Sequence, residues 1–319
     1  MSVPRILIAE RYRDIHPTRR HIKSAESLFI VILWTFLFYK FLGVYFMIRL
    51  LNQNDKEIVL EYLNKYPIET TFLIGNVNLF GLDNNKELRR CADYYGYFEN
   101  GTLRGVLPFY NLGSCIPHYN SPYAIPYFVE LLKEKNFKYF LGMESIIKPL
   151  YEQINDSKIT DEYSEDSYYV NNNFKSFTLE NVTFKEVDSE DMDIAKFYLR
   201  ARVEGFQEES TIEDVIKTLK QRPKDEDFIF LLKDNIIAAQ GCIQTTTDKI
   251  EQIGGVFTAA EARSNGYCKA VVSELCSRIV SRGKTPTLMV TKANTPAVRA
   301  YSSLGFTHYD DYLIISFKI

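Results

Sequence analysis

Residues 254–268 read Gly254-Gly255-Val256-Phe257-Thr258-Ala-Ala-Glu-Ala-Arg263-Ser264-Asn265-Gly266-Tyr267-Cys268. Ile250–Thr258 reads as a strand, and Ala270, Val271, Leu275 and Ile279 mark one face of a helix running from Gly266 to Arg282. A turn between the two aims several backbone N–H groups at one place. The helix N-terminus adds roughly half a positive charge there. This is chemistry for a phosphate or pyrophosphate. Gly266 lets backbone approach a ligand closely, and Arg263 adds a full charge. The same residues also suit a helix cap with a surface ion pair, so the pattern by itself leaves both uses open.

The rest of the chain reads as mixed α and β, in two halves with the same order of elements. Met47–Leu51 reads as a first strand, and Asp55 as the cap of a helix carrying Ile58, Val59, Tyr62 and Leu63. Leu88–Phe98 and Leu103–Phe109 read as strands joined by Asn100-Gly101. Helices follow at 125–133 and 145–154, with a strand at 137–142 between them. Asn155–Ser176 is polar and acidic, and reads as a linker. The second half runs strand, two helices, a hairpin through Asp234-Asn235, the strand and helix above, then strand, helix and strand to Phe317.

After that helix and the strand ending at Thr291 comes Asn294-Thr-Pro-Ala297-Val-Arg-Ala-Tyr301-Ser-Ser-Leu304-Gly305-Phe306. With the Arg263–Cys268 loop before it, this resembles the GNAT family of acyl-CoA-dependent N-acyltransferases. The loop resembles the family's pyrophosphate-binding Gln/Arg-x-x-Gly-x-Gly/Ala, with Cys268 in place of the usual Gly or Ala. The resemblance covers about 176–319, and residues 47–160 resemble the degenerate first half of tandem GNAT proteins. It implies an α/β (α+β) GNAT fold, a mixed, mostly antiparallel sheet flanked by helices. It also implies a degenerate domain at 47–160 and an acetyltransferase domain at 176–319.

The activity implied is direct transfer of an acetyl group from acetyl-CoA to a small-molecule or peptide amine. By that resemblance Arg263, Ser264, Asn265, Gly266, Tyr267 and Cys268 hold the pyrophosphate. Val256, Phe257 and Thr258 pair with the pantetheine arm like an added strand. A backbone N–H near Val256 stabilises the oxyanion, with Gly254 and Gly255 marking a bulge. Asn294 bonds the pantetheine arm, and Tyr301 is the general acid. Glu251 is the one carboxylate named as a base; water is the alternative.

Composition limits the other classes. The 319 residues carry 38 Lys or Arg and 41 Asp or Glu, a net −3, so no global basic field attracts nucleic acid. The four His share no ligand-like spacing and the five Cys form no Cys-x-x-Cys pair, so no metal is expected. The thiols suit a reduced, cytoplasmic protein. Residues 1–46 differ: seven Lys or Arg against three carboxylates give +4, leaving −7 for the rest. Leu28–Ile48 is apolar apart from Thr35, Lys40 and Gly43, long enough to act as a membrane anchor. Residues 1–46 are read as that anchor, as an extension upstream of a start at Met47, or as an apolar helix lying on the protein. Two other functions are kept. One is a non-catalytic CoA-binding sensor on a tandem GNAT scaffold. The other is an aminoacyl-tRNA-dependent transferase, which the −7 body and the intact loop disfavour.

Overall fold

The structure, a computed structural model, describes residues 45–221 and 227–318. The readings on residues 1–44 lie outside the described residues. Among the described residues no helix is long and apolar enough to cross a membrane. The chain's contacts separate two units: the described part of Met1–Met47 with Phe98–Thr102, and Ile48–Tyr97 with Leu103–Ile319. In the first, the Tyr45 amide donates to the Asn100 side chain and the Asn100 amide to the Tyr45 carbonyl, both at 2.9 Å. All that follows concerns the second unit, apart from the strand ends at Phe46–Met47, Phe98–Glu99 and Thr102 that fall in the first.

Its first half holds β1 (Phe46–Leu50), α1 (Lys56–Leu63), α2 (Thr71–Phe80), β2 (Ala92–Glu99), β3 (Thr102–Tyr110), β4 (Ser114–Cys115), β5 (His118–Tyr119), α3 (Ala124–Glu134), β6 (Tyr139–Met143), α4 (Glu144–Ile154) and β7 (Thr160–Val170). The second half repeats the order: β8 (Val182–Glu186), α5 (Met192–Arg200), α6 (Ile212–Gln221), β9 (Phe228–Lys233), β10 (Ile236–Thr246), β11 (Ile250–Thr258), α7 (Tyr267–Ser281), β12 (Thr285–Thr291), α8 (Thr295–Ser303) and β13 (Thr307–Phe317). Local chemistry sets many of the boundaries. Asp234 and Asn235 both take positive φ, at 51° and 64°, in the two-residue turn joining β9 to β10. Asp191 caps α5 through the Asp193 and Ile194 amides. Asp55 does not cap α1 as read from sequence. Asn52 caps the short turn before it, and Asp55 closes that capping box.

One sheet runs through both halves, ordered β1-β2-β3-β4-β6-β13-β7-β12-β11-β10-β9-β8, with β5 on β3. Two of its pairings are parallel, β4 with β6 and β11 with β12; the neighbours at the centre are antiparallel. The fold class is the one expected from the sequence.

The halves exchange their last strands. β7 pairs with β12 of the second half, β13 pairs with β6 of the first, and β7 and β13 pair from Thr307 opposite Val170 to Phe317 opposite Thr160. The reading of Asn155–Ser176 as a linker is therefore corrected at Thr160–Val170. Its acidic residues sit on the outer part of a strand whose Ser167–Val170 end is buried. In the second half, Val271, Leu275 and Ile279 of α7, Tyr301 of α8 and Leu304 just after it pack on Leu288 and Val290. Beneath α5 and α6, Ile194, Phe197 and Val215 pack on Phe228, Phe230 and Phe257.

Candidate functional site

The site forms where β11 and β12 part. They are in register from Ile250 opposite Thr285 to Ile253 opposite Leu288, and the ladder stops there. The cause lies on the other edge of β11. Gly254 faces Cys242 and Phe257 faces Gln240, so Gly255 and Val256 together oppose Gly241. That is a bulge, and Gly255 takes it up with φ 60°. Two β10 side chains hold it: Gln240 Nε2 donates to the Gly255 carbonyl at 3.2 Å, and Cys242 Sγ to the Gly254 carbonyl at 3.5 Å. Gly241 opposite cannot carry a side chain, because a Cβ would lie 2.7 Å from Val271 of α7.

Beyond Thr258 the chain makes a short turn at Ala260–Ala262, then two left-handed residues, Ser264 (φ 65°) and Gly266 (φ 79°). Asn265 Nδ2 ties the loop to the Ala262 and Arg263 carbonyls at 3.2 and 3.0 Å. Arg200 of α5 grips Glu261 at 2.6 and 2.8 Å and holds its carboxylate down to about 2. The first intrahelical bond of α7 runs from the Ala270 amide to the Gly266 carbonyl, at 2.9 Å. Helix geometry therefore leaves the Tyr267, Cys268 and Lys269 amides without intrahelical partners. No acidic residue occupies the first turn to neutralise them. Arg263 is exposed, its Nε 3.4 Å from the Thr258 carbonyl. These helix N-terminal amides, with Arg263 beside them, are a set of donors suited to an anion.

Tyr301 is 6% exposed, and its hydroxyl lies beside the Cys268 thiol. Burial, then the neighbouring thiol, pushes the Tyr301 phenol well above its ordinary value, so it stays protonated and can donate. Burial also pushes the Cys268 thiol up, against the pull of the Tyr301 hydroxyl. Cys268 and Val256 border the same packed cluster as Tyr301. Asn294 caps α8, its side chain accepting from the Ala297 amide at 3.3 Å. That bond leaves its amide NH2 free to donate.

Glu251 is not at this place. Arg282 holds its carboxylate at 2.6 Å and Lys284 at 2.9 Å, and it is 3% exposed. Both cations follow the C-terminus of α7. The 15 residues of α7 separate that end from the anion cradle by about 22 Å. The reading of Glu251 as a base is therefore corrected: it faces Pro286 in the closed part of the ladder and is an ion-paired structural carboxylate.

Sequence reading missed Gln240, whose polar type inside an apolar strand was the available signal. It also missed the segment after α5. There a π-turn at Ala201–Gly205 brings Gly205 against β11 so closely that a Cβ would lie 2.6 Å from the Phe257 ring. A wide cavity of about 620 Å³ opens beside it, lined by Val203, Glu208, Glu209, Ser210 and Asp214 among others. Glu208 pairs with Arg202 at 2.8 Å.

Residues 230–315 match the family described as FR47-like protein. No curated protein matches the chain. Several solved structures share its fold. A GNAT-family acetyltransferase from Colwellia psychrerythraea is 15% identical with a TM-score of 0.52, over 85% of this chain and 100% of that one. A Drosophila protein is 12% identical with a TM-score of 0.64, over 85% and 98%. A GCN5-related N-acetyltransferase from Sphaerobacter thermophilus is 14% identical with a TM-score of 0.56, over 85% and 95%. The chain is a GNAT-fold protein, and residues 230–315 are its FR47-like segment.

Proposed function

We propose that the second half, 176–319, is an acyltransferase that moves an acetyl group from acetyl-CoA to an amine, and that 47–160 is a degenerate companion half. The observation that carries this is the parting of β11 and β12 at the Gly255 bulge, directly before an unneutralised helix N-terminus. An extended thioester arm can lie along the unpaired edge of Val256–Thr258 with its pyrophosphate on the Arg263–Cys268 loop. The amine attacks the thioester carbonyl, and a bulge N–H faces the oxyanion. As the C–S bond breaks, Tyr301 gives its proton to the departing thiolate, and water takes the proton of the new ammonium. Asn294 offers its free NH2 to the arm. The open cavity beside Gly205, with Glu209 and Asp214 on its wall, suits a cationic small-molecule or peptide amine. Reduced thiols and this co-substrate fit a cytoplasmic protein.

A second reading, CoA binding without transfer, draws on two observations: the Tyr301 hydroxyl lies beside the Cys268 thiol, and Glu251 is held by Arg282 and Lys284 in the closed part of the ladder. One experiment separates them. CoA should raise the melting temperature by mass action, and acetyl-CoA with a panel of amines should release free thiol in proportion to acylated amine. Stabilisation by CoA with no amine-dependent thiol release selects the second reading. No stabilisation by CoA removes both.

A further inference from the structure

Side chains of β12 alternate: Leu288 and Val290 lie under α7 and α8, so Met289 points to the other face of the sheet. There it packs with Tyr168 and Tyr312 of the exchanged strands. A cavity of about 260 Å³ opens beside it, walled by Phe72 and Asn76 of α2, Tyr110 of β3, Met289 and Tyr312. Arg89 and Arg90 complete the lining, and both are exposed to solvent. Arg90 rests over the Phe80 ring at 5.9 Å, and among the described residues neither guanidinium is paired with a carboxylate.

We propose that this cavity binds a small organic carboxylate, its apolar body against Phe72, Tyr110 and Met289 and its carboxylate at Arg89 and Arg90. The volume corresponds to about nine water volumes of ~30 Å³, room for a body the size of hexanoate. The rings and Met289 gain by covering apolar surface. An arginine fork matches a carboxylate in shape as well as charge. An amine of the same length meets two like charges, and an alcohol leaves both guanidinium groups to water. The site is separate from the anion cradle: it lies on the opposite face of β12, and the proposal needs no CoA. Met289 follows Leu288, the last residue in register with β11, so the bound acid touches the back of the strand that walls the parting.

The test uses the full chain and titration calorimetry with hexanoate, hexan-1-ol and hexylamine. Hexanoate should bind saturably, hexanol at least tenfold more weakly, and hexylamine not at all. The double variant Arg89→Ala, Arg90→Ala changes two exposed residues and should fold normally. It should bring hexanoate down to the affinity of hexanol while leaving CoA affinity unchanged. No saturable hexanoate binding, equal affinity for hexanoate and hexanol, or unaltered hexanoate binding in the double variant each overturns the proposal.

Discussion

The two halves each contain a parallel strand pair that parts, and they treat the gap differently. In the second half β11 leaves β12 after Ile253, and an eight-residue stretch from Ala259 to Gly266 precedes α7, with left-handed Ser264 and Gly266 in it. In the first half β4 leaves β6 after Cys115 opposite Phe140, and β5 continues on β3 alone. Only Asn120–Tyr123 then precede α3, and none of them is left-handed. The first gap is filled from within. The Tyr119 hydroxyl reaches the Ile146 carbonyl of α4 at 3.0 Å, and its ring meets Phe128. His118 lies between the Tyr62 and Tyr66 rings, with Nδ1 2.9 Å from the Tyr62 hydroxyl. The same element order therefore yields a left-handed loop before an uncovered helix N-terminus in one half and an aromatic plug in the other. Loop length, left-handed glycine and ring placement decide which.

The largest expected effect breaks the open side. Gly266→Glu adds bulk and a negative charge where a pyrophosphate would sit, at φ 79°. CoA affinity should fall at least about 10³-fold, beyond the roughly 1–2 kcal/mol of left-handed strain alone. Gly266→Ala carries the strain without the charge, so calorimetry on the pair isolates the electrostatic part. Equal CoA affinity in Gly266→Glu and the parent would show that the loop is not the cradle.

The plugged side should respond to pH. Burial holds His118 down to about 4, against 6.5 for the free side chain. The folded state therefore disfavours the protonated ring, while the unfolded chain takes up its proton readily. Above pH 6.5 both states hold a neutral ring and nothing is lost. Between 6.5 and 4 the unfolded state binds more protons, so stability is lost as the pH drops, by about 3 kcal/mol in all. Urea melts of His118→Gln and the parent across that window should diverge by this slope. Parallel curves would mean the ring is not buried neutral.

Tyr301→Phe tests chemistry at the open side. It keeps the ring against Phe306 and removes the hydroxyl beside the Cys268 thiol. We expect kcat to fall roughly 10²-fold with CoA affinity little changed, the pattern of an interaction made mainly in the transition state. A wild-type kcat with a lower melting temperature would make Tyr301 a packing residue and favour the non-catalytic reading.

What could be read in the sequence follows the same contrast. The open side was legible because its devices are local: Gly254-Gly255 for a bulge, Gly266 before a helical face, Asn294 as a cap. The plug was not, because Tyr119 meets Ile146 and His118 meets Tyr62 across 27 and 56 residues of chain. β7 was hidden for that reason too. Asp161, Glu162, Glu165 and Asp166 look like a linker until β12 and β13 arrive from the far end of the chain to pair with them. α2 went unread because Gly75, Asn76 and Asn78 interrupt it. Gly75 is there to admit Thr245, whose methyl would lie 2.9 Å from a Cβ. Glu251 shows the converse error: a carboxylate beside a cleft in sequence is held by Arg282 and Lys284 at the closed end.

The smallest effect separates a plug from a second ligand site. Tyr119→Phe keeps the ring on Phe128 and deletes one part-buried hydrogen bond to the Ile146 carbonyl, which keeps its place in the α4 ladder. Losing one such bond costs about 0.5–1.5 kcal/mol. Tyr119 is 8% exposed and water reaches the site poorly, so the loss should be felt as a lower melting temperature. If the first gap is only a plug, CoA affinity and kcat should both stay at parental values, because no donor set faces that gap and the short Asn120–Tyr123 connection offers no cradle. Thermal melts with and without CoA read both at once: the melting point drops, and the CoA-induced shift is preserved. A preserved melting point with an altered CoA shift would reverse the assignment, making Tyr119 a ligand contact and the first half a binding half in its own right.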